Sequence, residues 1–160
     1  MRRFCFLLSV LFFASCRPDA KEEIVFEKDA IRIVSARENA QKAELSVEIA
    51  DTNAKRARGL MYRTKMGDDE GMLFLFPVRK KVGMWMANTV MPLDMVFIDK
   101  SGVIKEIVEN TVPFSHDEIV SNDAVSAVLE IKGGRAKGLN LKKGDVVRHS
   151  FFKLDKSSEN

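Results

Sequence analysis

Six side chains have the types and spacing for chemistry. Trp85 is the only tryptophan, and Asn88 and Thr89 follow it within four residues. An aromatic plate beside an amide and a hydroxyl can hold a small polar ligand or a sugar. The same trio also suits a rim tryptophan whose indole N–H meets a backbone carbonyl, with Asn88 and Thr89 stabilising a turn. Arg58, if buried, requires a carboxylate or several carbonyls. Asp94, just after Pro92-Leu93, and Glu130, shortly before Gly133-Gly134, are the candidate carboxylates. Either a structural arginine–carboxylate pair across a sheet or a clamp on a ligand fits this set. Asp94 with Glu130 is also the one pair worth testing as the two carboxylates of an envelope-associated hydrolase. Asp99, five residues after Asp94, reads as the start of a hairpin turn.

The methionines form a second constellation. Seven of the eight lie between Met61 and Met95. Thioethers are soft ligands suited to Cu(I). Met84 and Met86 flank Trp85, so on a strand they share the face opposite the indole. The competing role is core packing, for which a flexible thioether is well suited. Other chemistries lack their residues. No serine sits in a Gly-x-Ser-x-Gly elbow, no glycine-rich phosphate loop follows a strand, and His116 and His149 have no zinc-like spacing. No cofactor is expected.

Cys16 carries the remaining chemistry. The chain opens with Met1-Arg2-Arg3, an apolar run from Phe4 to Phe13, and Ala14-Ser15-Cys16. A charged start, about ten apolar residues and small residues before a cut describe a secretory signal. The run is short of the ~20 residues that a spanning helix needs. A cysteine after two small residues resembles the box read by lipoprotein signal peptidase. Residues 1–15 are then a signal peptide, Cys16 is the lipidated first residue, and residues 16–23 are a tether. That places the protein in the cell envelope, on a membrane outside the cytoplasm. An ordinary secretory cut nearby, leaving Cys16 a free thiol, is the alternative. Loss of Arg2 and Arg3 leaves 24 basic against 23 acidic residues. Such a balance argues against nucleic acid as a partner.

These side chains need a scaffold, and the pattern is β. Ala43, Leu45, Val47 and Ile49 alternate with Glu44, Ser46, Glu48 and Ala50, the period of a half-buried strand. Further β pieces are expected at 24–26, 31–34, 72–76, 82–87, 95–98, 103–108, 124–131 and 146–154, with Pro77 and Pro92 as separators. Asp51 or Thr52 caps a brief helix over 53–58, and 135–141 reads as one helical turn. Residues 110–123 read as a long polar loop. The expected architecture is one mainly β domain over 24–154, a compact sandwich or barrel with one or two short helical turns, then a polar tail over 155–160.

Five segments recur in a recognisable order: Arg58-Gly-Leu-Met61, Gly71-Met-Leu-Phe74, Trp85-Met-Ala-Asn-Thr89, Pro92-Leu-Asp-Met-Val-Phe-Ile-Asp99, and Leu129-Glu130 with later Gly144-Asp145. This order resembles domain-of-unknown-function family 192. The resemblance implies a compact jelly-roll-like β fold, export or lipid anchoring, and no assigned activity. Met84 stands where the family pattern commonly has an aromatic residue. The combined expectation is a lipid-anchored binding domain for a small polar ligand, glycan or envelope partner. A methionine-rich copper protein is the first alternative and an envelope hydrolase the second.

Overall fold

The computed structural model describes residues 24–152. The expected signal segment 1–15, Cys16, the expected tether 16–23 and the tail 155–160 lie outside the described residues. The strands are β1 (Glu27–Val34), β2 (Gln41–Ala50), β3 (Glu70–Lys80), β4 (Gly83–Met84), β5 (Leu93–Ile98), β6 (Ile104–Val108), β7 (Ile119–Val120), β8 (Val125–Lys132) and β9 (Val146–Arg148). Two short helices, α1 (Asn53–Arg58) and α2 (Arg135–Gly138), complete the set.

Seven strands form one sheet in the order β6-β5-β8-β3-β2-β1-β9, and β4 pairs with β7. All pairs are antiparallel except β2 with β3, where α1 supplies the crossover. The sheet curls into a half-barrel until β9 touches the chain entering β6. There the Ile104 N–H donates to the Asp145 carbonyl, and the Val147 N–H to the Gly102 carbonyl, each at 2.8 Å. A Cβ on Gly102 would stand 2.3 Å from that carbonyl oxygen of Val147, so this junction admits only glycine.

Two apolar clusters flank the sheet. Inside the curl pack Ile31, Ile33, Leu45, Val47, Leu73, Val96, Leu129, Ile131 and their neighbours. Outside pack Met72, Phe74, Phe76, Leu93, Met95, Phe97 and Val128, covered by Leu60, Val82, Met84 and Met86. The patterning follows this division. β2 alternates buried and exposed because its outer face stays largely wet. Every residue of β5 is buried, since it lies between both clusters. Each such large side chain contributes ~1.5–3 kcal/mol by leaving water.

Local differences from the sequence expectation have physical causes. Residues 24–26 and 31–34 are not two strands; one strand begins at Glu27. Pro77 does not separate strands but lies within β3, where regular pairing with β8 lapses between Leu75 and Lys80. Proline removes a ladder donor, and that lapse is where its loss is tolerated. The 82–87 piece keeps only two strand residues, paired with Ile119–Val120 from the expected loop. The last strand stops at Arg148, and a turn follows. Helix α1 forms as expected, with the Thr52 hydroxyl accepting from the Lys55 N–H at 3.1 Å.

Candidate functional site

The covering layer does not seal the outer face. Between α1, the following turn and the β4 segment lies an open cleft of about 230 Å³. Its walls include Leu60, Met61, Phe74, Phe76, Met84 and Trp85. Arg56, Arg58 and Thr89 add polar groups, and Glu130 lies at the base.

Strand alternation delivers Glu130 there. Val128 faces the outer cluster and Leu129 and Ile131 the inner one, so Glu130 faces outward between them. Its partners in register are Met72 on β3 and Met95 on β5, both fully buried. The residue is 4% exposed. Among the described residues, no fully enclosed side-chain oxygen or nitrogen lacks a partner. The Glu130 carboxyl takes part in no hydrogen bond or ion pair there, so it reaches the cleft rather than a sealed core. Burial pushes its pKa from 4.5 up to about 8, because the charged form loses hydration among methionines and aromatics. At neutral pH Glu130 therefore holds a proton and can donate a hydrogen bond.

Two backbone kinks shape the mouth. Gly59 ends α1 at φ 46° and ψ −139°, and an added Cβ would stand 3.2 Å from the Phe74 ring. That turn swings Leu60 and Met61 onto the cleft wall. Tyr62 and Asn88 both adopt positive φ, and the Tyr62 N–H donates to the Asn88 carbonyl at 2.9 Å. This bond ties the Arg58–Arg63 segment to the Trp85–Thr89 segment. The Arg58 guanidinium lies 5.0 Å from the Tyr62 ring centre, a cation–π contact. Trp85 is 52% exposed and Tyr62 59%, so the rim is aromatic and wet.

Of the residues singled out from sequence, Arg58, Trp85, Thr89 and Glu130 line this cleft. Asn88 sits at the rim, its amide nitrogen 3.9 Å from Met61 Sδ. Thr89 is buried, its hydroxyl 3.5 Å from the Ala87 carbonyl. Asp94 is not in the site. It faces the other side of β5, fully buried, and its carboxylate accepts from the N–H groups of Asn110, Gly134 and Ala136 at 2.7–3.0 Å. Those bonds fix the entry to α2. Asp94 and Glu130 therefore stand on opposite faces of one sheet and are not a hydrolytic pair. Arg58 is not the buried, ion-paired arginine envisaged from sequence. It is exposed and unpaired among the described residues, while Arg63 pairs with Glu48.

Met84 and Met86 share a face as their spacing predicts, and both are buried. Met84 lines the cleft, whereas the Met86 thioether accepts from the Thr111 hydroxyl at 3.1 Å. Among the described residues no three His, Cys, Asp or Glu side chains lie close enough together to hold a metal ion. Sequence reasoning missed Phe74, Phe76, Leu60, Met61 and Arg56 as lining residues. The Arg58–Met61 and Gly71–Phe74 segments were the available signal. Arg56 is held by the carbonyls of Asp51 and Leu75 at 2.7 Å and stacks on Phe76.

The model of the DUF192 family, described as "Uncharacterized ACR", matches residues 33–149. A protein of Sinorhizobium meliloti 1021, described as a "putative transcription regulator", is 41% identical with a TM-score of 0.75, covering 79% of this chain and 96% of its own. A protein of unknown function from Novosphingobium aromaticivorans DSM 12444 is 35% identical with a TM-score of 0.72, covering 76% and 85%. No curated protein matches the chain.

Proposed function

The chain belongs to the DUF192 family, and from that premise we propose that it is a binding domain whose cleft takes a small organic ligand. The observation that carries this reading is Glu130, a carboxyl buried at the base of an open, largely apolar cleft without a protein partner among the described residues. A ligand oxygen that accepts the hydrogen bond of this carboxyl takes the place of cleft water in a largely apolar surrounding, where the bond is stronger. The aromatic and thioether walls favour a ligand with an apolar body over a bare sugar. The description of the Sinorhizobium meliloti protein supplies no ligand, and the reading does not rest on it.

The opening sequence supports the place of action. Met1-Arg2-Arg3, the apolar run and Ala14-Ser15-Cys16 fit export and acylation at Cys16. On this reading the domain is held at an envelope membrane and samples ligands outside the cytoplasm.

The binding claim is tested by a thermal-shift screen of small organic compounds against the full chain, Trp85→Ala and Glu130→Gln. Stabilising compounds whose effect shrinks in both variants support the site. Compounds that stabilise all three proteins equally, or no stabilising compound at all, contradict it. The anchoring claim is tested by radiolabelled palmitate. Label lost on Cys16→Ser supports it, and full-length unacylated chain in the cytosol contradicts it.

A further inference from the structure

Two ionisable side chains in the cleft lack a protein hydrogen-bonding or ionic partner among the described residues. Glu130 is at the base, and Arg58 is at the mouth, its guanidinium over the Tyr62 ring. The other lining arginine is engaged, since Arg56 donates to the carbonyls of Asp51 and Leu75 and to the side chain of Asn53. Between Arg58 and Glu130 the walls are apolar, formed by Leu60, Phe74, Phe76 and Met84. The cleft thus has a cationic entrance, a greasy middle and a carboxyl floor.

We propose that the ligand is a small organic acid with an apolar body, its carboxylate at Arg58 and a distal oxygen accepting a hydrogen bond from Glu130. This rests on the ligand-site reading above. The charges in the cleft set the choice of head group. An amine would meet the positive field of Arg56 and Arg58, whereas a carboxylate gains a charge-assisted contact with a guanidinium. Glu130 would favour an amine only if it were ionised, and its surroundings hold it neutral. The charged groups lining or bordering the cleft are Arg56 and Arg58 around α1, and Glu118, whose carboxylate lies against Gly83 of the cleft wall. Its strand neighbours Met72 and Met95 bring no charge.

Protonation then matters to affinity. With Glu130 neutral, the site accepts an oxygen-bearing acid. Once Glu130 ionises, the donor is lost and a second negative charge stands in the cleft. Affinity for acids falls as pH rises through the pKa of Glu130, near 8 in the free protein.

The test is titration calorimetry on the full chain with three matched probes: para-hydroxyphenylpropionate, the corresponding propanol and the corresponding propylamine. The acid is expected to bind about tenfold tighter than the alcohol, with the amine weakest. Arg58→Gln is expected to bring the acid down to the level of the alcohol. Raising the pH from ~7 to ~9.5 is expected to weaken acid binding in the parent protein and not in Glu130→Gln. An amine that binds tighter than the acid, or an acid preference that survives Arg58→Gln, overturns the proposal. If none of the three binds while other compounds from the screen bind with dependence on Trp85 and Glu130, the organic-acid assignment fails and the ligand site stands. If nothing in any class binds, both fail.

Discussion

At the scale of single residues, two buried carboxyl side chains have opposite roles. Asp94 accepts from three backbone N–H groups and so holds the entry to α2 in place. Asp94→Ala is expected to cost about 3 kcal/mol in denaturant unfolding, because it strands those donors. Glu130 has no such partners, and its charge is destabilising. Folded Glu130 keeps its proton up to about pH 8, whereas 4.5 is the value for an unburied side chain. Between these values the unfolded chain holds fewer protons, so stability falls as pH rises and levels off above the upper value. The loss is on the order of a few kcal/mol. Glu130→Gln is expected to flatten this dependence and to unfold at higher temperature than the parent at pH ~9, with little difference at pH ~4.5. Equal pH profiles in thermal unfolding would contradict the buried, unpartnered state of the carboxyl. Trp85 is half exposed, so Trp85→Ala is expected to leave stability within ~1 kcal/mol while lowering ligand affinity.

At the scale of elements, the cleft depends on how α1 ends. The helix is short and contains no buried residue, so it is held by its caps, its side-chain contacts and the chain beyond it. Gly59 occupies a backbone region that only glycine enters readily, pressed against Phe74. Gly59→Ala is expected to destabilise by ~1–3 kcal/mol and to displace Phe74, with loss of ligand response in the thermal-shift assay. Retained response with unchanged stability would show that the turn does not shape the cleft. Much of this element structure is legible in the sequence. The alternation from Ala43 to Ile49, the Thr52 cap, the Asp99 turn and the strands around 104–108 and 125–132 all read from local pattern. The facing of Asp94 and Glu130 does not. β5 and β8 are buried on both sides, so their sequences are nearly continuous apolar runs with no wet face to set the parity. Which carboxyl enters the cleft is decided by the pairing of β5 and β8 with β3, a long-range fact. The two-residue pair β4–β7 is illegible for a similar reason, since neither strand is long enough to show a period.

At the scale of the molecule, the half-barrel has an apolar interior and an outer face covered by a partial second layer. Four of the family segments converge on the gap in that layer, while Pro92–Asp99 and Gly144-Asp145 contribute no lining residue. Arg58–Met61 gives the mouth and one wall, Phe74 and Trp85–Thr89 the others, and Glu130 the floor. A fold need not gather four separated segments around an open cleft for stability alone, and this convergence is what favours a binding role. The organic-acid proposal adds a direction to it, from a cationic entrance to a protonated base. The domain starts beside the same layer, where Phe26 packs on the outer cluster and the Arg63 guanidinium lies 5.9 Å from its ring centre.

The most direct measurement is a carbon-13 NMR titration of the Glu130 side-chain carboxyl, assigned by comparison with Glu130→Gln, in the free protein and in the presence of saturating para-hydroxyphenylpropionate. The account predicts a midpoint near 8 in the free protein, as burial dictates, and a higher one with the acid bound, since the bound state favours the proton. A free midpoint near 4.5, or one that the acid lowers, would contradict it.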